Sequence, residues 1–201
     1  MSPNRRGDQP RRRIAVEAAR LMSESGLRDF HAAKRKAAQR LGIDDQAALP
    51  SNREIDVALR EHQALFQPDH AGLITELRRN AADAMRFFAR FQPRLVGAVL
   101  DGSADVHSAV CLHVFAETST DVSVFLIEQG IDFDETSRNL RYGHEDRREA
   151  AVLRFAADGQ PFDLTVLAID DLRQPPLDRV SEQPMRRMDR VALLALLAQT
   201  E

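Results

Sequence analysis

The stretch LVGAVLDGSADVHSAVCLHVFAE, residues 95–117, decides the fold of this chain. It opens on a short apolar run that leads to Gly102, and residues 109–115 then place polar side chains at alternate positions. A continuous apolar run before a glycine is typical of a buried strand, and alternation is typical of a strand with one covered face. We therefore predict strands over 95–100 and 109–115, joined by a turn at Gly102 and Ser103.

The segments on either side of this stretch complete an α+β domain over residues 69–201. Apolar residues at helical spacing predict a long helix over 71–91, which Pro93 ends, and a second helix over 118–129. Residues 152–155 and 162–169 read as a hairpin that turns at Asp158 and Gly159. One short edge strand is expected within 131–149, and a final helix over 188–199. Together these elements predict a small mixed sheet with flanking helices.

A helical extension precedes this domain. Residues 1–12 are rich in arginine and lack apolar periodicity, so we expect a disordered basic arm. Residues 13–68 show apolar stripes at helical spacing, with Asp29 as an N-cap and Ser51 and Glu54 at capping-box spacing.

Composition bears on location and partners. No apolar run approaches the ~18 residues of a membrane span, the arginine-rich start lacks the apolar stretch of a secretory signal, and the single cysteine fits a reducing compartment. We expect a soluble cytoplasmic protein with no membrane partner. Residues 1–66 carry 13 Lys+Arg against 9 Asp+Glu, whereas the remainder carries 15 against 22. A basic front is either a nucleic-acid contact or a solvated surface.

The order of elements resembles the nucleotidyltransferase superfamily, which has the polymerase-beta-like fold. The resemblance rests on a strand, a Gly-Ser turn, a second strand with alternating polar positions, a helix, and a later strand that contains Asp163 and Leu164. The chain is also similar to a bacterial family of about this length that is described by that fold alone. The resemblance implies a turn that approaches nucleotide phosphates and carboxylates that hold two divalent ions.

The resemblance implies that Gly102 and Ser103 form the nucleotide-binding turn and that Asp163 is the candidate catalytic residue. The paired carboxylates of the second strand fall on Cys111 and His113, which are poor ligands for Mg²⁺. The resemblance thus implies a catalytically degenerate protein that binds a nucleotide or an RNA end at the Gly-Ser turn. No cofactor is expected, with Mg²⁺ needed only if activity is retained.

Other interpretations of these residues stay open. Cys111, His113 and Asp163 could form a zinc site, to which His107 could add a ligand, or a Cys-His-Asp nucleophilic arrangement. Alternatively, Cys111 is a small buried residue and Asp163 an outward-facing carboxylate of a hairpin strand. The arginines at positions 138, 141, 147 and 148 are either phosphate contacts or part of a solvated loop.

The helical front suggests a rival function. Residues 13–43, RIAVEAARLMSESGLRDFHAAKRKAAQRLGI, resemble the opening of a TetR-type repressor. A DNA-binding regulator would use the basic residues of the second helix, which are Lys34, Arg35, Lys36 and Arg40. Yet residues 42–50, GIDDQAALP, stand where a recognition helix is needed, and two aspartates there would repel phosphates. Nucleic-acid binding is therefore the alternative, and any protein partner is unknown.

Overall fold

The computed structural model describes residues 5–25, 27, 29–43, 48–66, 70–143, 145–178 and 181–199. The chain divides into two compact units, Met1–Ala71 and Gly72–Glu201. This division lies near residue 68, where the sequence predicts the end of the helical extension. Within the described ranges, no helix is long and apolar enough to span a membrane.

The first unit is helical, with α1 (Arg5–Ser25), α2 (Phe30–Leu41) and α3 (Asn52–Phe66). The predicted caps are confirmed: the Asp29 carboxylate accepts hydrogen bonds from the first amides of α2, and Ser51 and Glu54 bond reciprocally at the start of α3. Apolar stripes of the helices meet in a common core, which includes Ile14, Leu21, Ala33, Ala37, Ile55 and Leu59.

Helix α1 begins at Arg5 and contains Pro10, whereas the sequence predicts a disordered arm over 1–12. Residues 1–4 lie outside the described part of the chain. Arg11, inside the predicted arm, donates a hydrogen bond to the Leu49 carbonyl at 3.3 Å and lies 3.8 Å from the Glu54 carboxylate. These partners are far away in sequence, so local composition does not reveal them.

The second unit contains the sheet. Its elements in chain order are α4 (His70–Phe87), β1 (Arg94–Val96), α5 (Gly97–Asp101), β2 (Val110–Ala116), α6 (Ser119–Glu128), β3 (Asp134–Arg141), β4 (Arg147–Ala157), β5 (Gln160–Ala168) and α7 (Arg190–Ala198). The strand order is β1-β2-β5-β4-β3. β2 and β5 are parallel, and the other neighbours are antiparallel. The predicted α+β class, with a mixed sheet and flanking helices, is confirmed.

The predicted strand over 95–100 is wrong beyond Val96. Gly97 has a φ of 72°, which ends β1 and begins the short helix α5. Val99 and Leu100 are buried in the core on this helix. A short buried helix and a buried strand give the same apolar run, so periodicity alone does not separate them.

The predicted hairpin is confirmed and is longer than expected. Asp158 and Gly159 both have positive φ, 51° and 78°, as the tight turn between β4 and β5 requires. The expected edge strand within 131–149 is also present as β3. Most of its side chains are exposed, so its sequence carries little apolar signal.

One face of the sheet packs against helices. Leu95, Leu112, Leu164 and Leu153 form a row in register across β1, β2, β5 and β4. These leucines are fully buried in a core with residues of α4, α6 and α7, which include Leu77, Met85, Val122, Leu126, Leu193 and Leu197. This face is hereafter called the helix face, and the opposite one the polar face.

We predict that Leu112→Ala destabilises the second unit by about 3 kcal/mol, because it leaves a cavity between Leu95 and Leu164 on the central strands. The measurement is urea denaturation of the full chain, followed by circular dichroism. Ile127→Ala is the control, since that side chain is 66% exposed. Equal midpoints for the two variants would contradict the packing described for this core.

Candidate functional site

The polar face carries a set of side chains that the sheet register brings together. Cys111 is opposite Asp163 on the parallel neighbour, and His113 is opposite Thr165. Arg154 is opposite Asp163 on the other side. Residues directly opposite each other on neighbouring strands share a face. The register therefore assembles Cys111, His113 and Asp163, which the sequence had singled out separately.

Asp163 is buried and paired with arginines. Its Oδ2 atom accepts a hydrogen bond from Arg138 Nη2 at 2.9 Å and lies 3.5 Å from Arg154 Nε. Its Oδ1 atom is buried and has no hydrogen-bond partner among the described residues. Arg138 also donates to Thr165 Oγ1 at 3.4 Å. The interpretation of Asp163 as an outward-facing surface carboxylate is wrong, because only 7% of the residue is exposed.

His113 is neutral at physiological pH. Only 1% of its surface is exposed, and burial together with the positive charges of Arg187 and Arg138 lowers its pKa to about 3. Its Nδ1 atom is buried without a hydrogen-bond partner in the described structure. The imidazole thus offers hydrogen-bonding capacity and no charge.

A cavity of about 500 Å³ opens on the polar face beside these residues. Its described lining is Val96, Gly97, Cys111, His113, Arg138, Asn139, Leu140, Arg141, Arg147, Leu177, Asp178 and Met185. Three of these residues are arginines and one is an aspartate, so with His113 neutral the described lining has a net charge of +2. The cavity combines apolar walls with a cationic side, which suits an anionic organic ligand.

The segment after β5 crosses the polar face and closes one side of this cavity. The Leu177 amide donates to the Arg141 carbonyl at 2.6 Å, and the Met188 amide donates to the Leu95 carbonyl at 3.0 Å. The guanidinium of Arg187 stacks on the Phe115 ring at 5.4 Å. Sequence reasoning missed Leu177, Asp178 and Met185 as site residues, because this proline-containing stretch has no periodic pattern.

The Gly102–Ser103 turn is not part of the described lining. Gly102 ends α5 with a φ of 77°, and its amide and that of Ser103 donate to the Ala98 carbonyl. Arg78 of α4 holds the same turn through the Val99 and Leu100 carbonyls, at 3.2 and 3.1 Å. These backbone donors are used within the turn. The glycine that borders the cavity is Gly97, at the other end of α5.

The donor set does not fit the two divalent ions that the resemblance to nucleotidyltransferases implies. Mg²⁺ requires several oxygen ligands, and the one carboxylate of the set, Asp163, is paired with arginines. The zinc hypothesis also lacks support, since no group of three or more His, Cys, Asp or Glu in the described residues is arranged to hold a metal ion. His107 lies exposed in the loop between α5 and β2.

Of the arginines considered as phosphate contacts, those at 138, 141 and 147 line the cavity. Arg148 has another role. Its guanidinium pairs with Asp171 at 2.8 Å and stacks over Tyr142 at 4.2 Å, while the Tyr142 hydroxyl donates to Asp171 at 3.0 Å. Burial and the Asp171 carboxylate raise the pKa of Tyr142. This network links the end of β3 to the start of β4.

In the first unit, the basic residues of α2 are divided between internal and exposed positions. Lys34 Nζ donates to the Pro50 carbonyl at 2.9 Å, and its partial burial lowers its pKa. Arg35, Lys36 and Arg40 are exposed, and Arg40 also pairs with Glu17 at 3.3 Å. Residues 44–47, within the stretch where a recognition helix is needed, lie outside the described residues. Nucleic-acid binding by this unit stays a prediction.

Comparison of the chain with protein-family models gave no match, and comparison with curated proteins gave none either. The chemistry of the polar face therefore has to be inferred from its own residues.

We predict that His113 makes the protein less stable in mild acid. The folded-state pKa of about 3 lies below the ordinary value of 6.5, so as the pH falls through this window the unfolded chain binds a proton and the folded chain does not. Stability is present above the unfolded pKa and is lost on acidification, by about 2 kcal/mol between about pH 7 and about pH 5.

This contribution is measured by urea denaturation at both pH values, for the wild type and His113→Leu. The variant should lack the portion of the pH dependence that His113 supplies. An identical pH dependence in the two proteins would show that folding does not lower the pKa of His113.

We predict that Arg138→Ala costs about 3 kcal/mol of unfolding free energy, because it leaves the buried Asp163 with only the longer Arg154 contact. The double variant Asp163→Asn with Arg138→Gln should recover most of this loss, since no buried charge remains. Arg86→Gln is the control: Arg86 pairs with Asp83 on the surface of α4, and the loss should stay below about 1 kcal/mol. A double variant no more stable than Arg138→Ala would contradict this account.

Proposed function

We propose that Gly72–Glu201 is a nucleotidyltransferase-like domain that lacks two-metal catalysis and binds a nucleotide in the cavity on the polar face. The observation that carries the proposal is the environment of Asp163. The resemblance to the superfamily implies a metal-binding carboxylate at this position, and here the carboxylate pairs with Arg138 and Arg154.

The arrangement of the strands supports this proposal. The resemblance implies that a carboxylate from a later strand joins the metal-binding positions of the second strand. β5 lies beside β2, and Asp163 is opposite Cys111. The position of the carboxylate is thus compatible with the superfamily, while its neighbours Cys111 and His113 are unsuited to Mg²⁺.

The cavity supports a nucleotide as the ligand. A volume of about 500 Å³ falls within the ~300–1,000 Å³ of small-molecule sites. The arginines would bind phosphate oxygens, and the apolar wall, with Leu140, Leu177 and Met185, would contact the base or sugar. Because Gly97 and not Gly102 borders the cavity, we place the nucleotide at the beginning of α5. A single nucleotide suits a cavity of this volume better than the end of an RNA strand.

The single cysteine offers a direct test, because Cys111 lines the cavity. We predict that ATP, CTP, GTP or UTP slows the alkylation of Cys111 by iodoacetamide, since a bound nucleotide would cover the thiol. The rate is followed by intact-protein mass spectrometry. Cys111→Ser is the control for labelling at other groups, and adenosine without phosphates is the control for unspecific protection. An alkylation rate unchanged by every nucleotide would remove the proposal.

The same nucleotides should give no transfer of labelled phosphate or nucleotidyl group in the presence of Mg²⁺. The arginine-paired Asp163 leaves no set of oxygen ligands for two ions on the described polar face. Label transfer that Asp163→Asn abolishes would instead establish an active transferase. The assay is run with wild type and variant side by side, after both are shown to be folded.

A further inference from the structure

The cavity contains two arginines whose mutual position is unfavourable without a ligand. Arg141 on β3 and Arg147 on β4 are directly opposite each other in the antiparallel register, and both line the cavity. Like charges directly opposite on neighbouring strands destabilise a sheet. Both residues are exposed, so solvent screens part of this repulsion, and an anion bound beside the two guanidinium groups would remove the rest.

The protein itself compensates little of this charge. Arg141 pairs with Glu182 at 3.3 Å, but the Glu182 side chain is 68% exposed, so solvent screens the interaction. Within the described ranges, the Arg147 guanidinium has no carboxylate partner. Among the described lining residues, the one carboxylate is that of Asp178, which accepts hydrogen bonds from the amide and hydroxyl of Ser181, at 2.7 and 2.9 Å.

Arg138 differs from this pair because its charge is balanced. Asp163 and Thr165 hold its guanidinium against the polar face, so it forms a fixed wall of the cavity. Asp163 thereby acts on a ligand only through Arg138, which makes it a positioning residue.

We propose that Arg141 and Arg147 form the phosphate subsite of the cavity and that they bind the phosphates of a nucleotide free of Mg²⁺. This inference rests on the function proposed above. The guanidinium groups supply the positive charge that the metal ions supply in a two-metal site, and each can donate two hydrogen bonds to phosphate oxygens. A nucleotide already complexed with Mg²⁺ has less negative charge and fewer open phosphate oxygens, so it binds more weakly.

The experiment is isothermal titration calorimetry of the full chain with ATP, in buffer with EDTA and in buffer with excess Mg²⁺. We expect tighter binding in EDTA. Arg147→Gln should weaken the binding of ATP about tenfold or more, and Arg141→Gln should do the same. Arg86→Gln, an exposed arginine of α4 outside the lining, should bind ATP as the wild type does.

The outcomes separate this inference from the proposed function. Binding only in the presence of Mg²⁺, or binding that Arg147→Gln leaves unchanged, overturns the phosphate subsite while the nucleotide site stands. No binding of ATP, CTP, GTP or UTP in either buffer overturns the proposed function itself. Inorganic pyrophosphate is titrated in parallel: weaker binding than ATP, equally sensitive to Arg147→Gln, supports a phosphate subsite within a nucleotide site. If pyrophosphate binds as tightly as ATP, the proposal that the ligand is a nucleotide is overturned.

Asp163→Asn provides the remaining test, because a metal ligand and a positioning residue respond differently. The substitution removes the negative charge that balances Arg138, and we expect a several-fold change in ATP affinity that is the same with and without Mg²⁺. A loss of affinity confined to the Mg²⁺ buffer would make Asp163 a metal ligand and would overturn the inference. Thermal melting of each variant establishes that it is folded before the titration.

Discussion

The parallel pairing of β2 with β5 is the constraint on which the rest of the second unit depends. It joins residues about fifty positions apart in the chain and places Cys111 opposite Asp163. The register is fixed because the same strands bury Leu112 and Leu164 on the helix face. A slip of one residue would move these leucines to the polar face and the aspartate into the core. The burial of leucines therefore determines the geometry of the polar site.

Much of this fold could be predicted from the sequence because its signals are local. The hairpin depends on Asp158 and Gly159, which adopt the positive φ values of a tight turn, and the caps at Asp29 and Ser51 mark two helix starts. Where the structure differs from the prediction, the local sequence signal is ambiguous or lacking. The run 95–100 is equally apolar as helix or strand, and the helical start at Arg5 accompanies tertiary contacts of Arg11.

The candidate site was less predictable because its contacts are long-range. The sequence identifies Asp163 and the arginines as separate features, and only the sheet register pairs Asp163 with Arg138. The sequence predicts a turn at Gly102 and places Gly97 within a strand, whereas the structure places the two glycines at opposite ends of α5. Gly97, at the beginning of α5, borders the cavity. Gly102, at the end of α5, is held by backbone hydrogen bonds and by Arg78. The covering segment around Leu177 has no pattern that indicates a role.

In the proposed nucleotide site, arginines stand where a two-metal site has metal ions, and this difference has a chemical consequence. A guanidinium group balances a phosphate charge as a metal ion does, and it is permanently attached, so recognition does not depend on the supply of ions. It cannot coordinate and activate an attacking oxygen or bridge it to the leaving group, which is the work of two metal ions in phosphoryl chemistry. With Asp163 paired to Arg138 and with His113 neutral and buried, the described residues of the proposed site supply positive charge for binding phosphates. The proposed site would therefore bind a nucleotide through its arginines without depending on metal ions for its affinity.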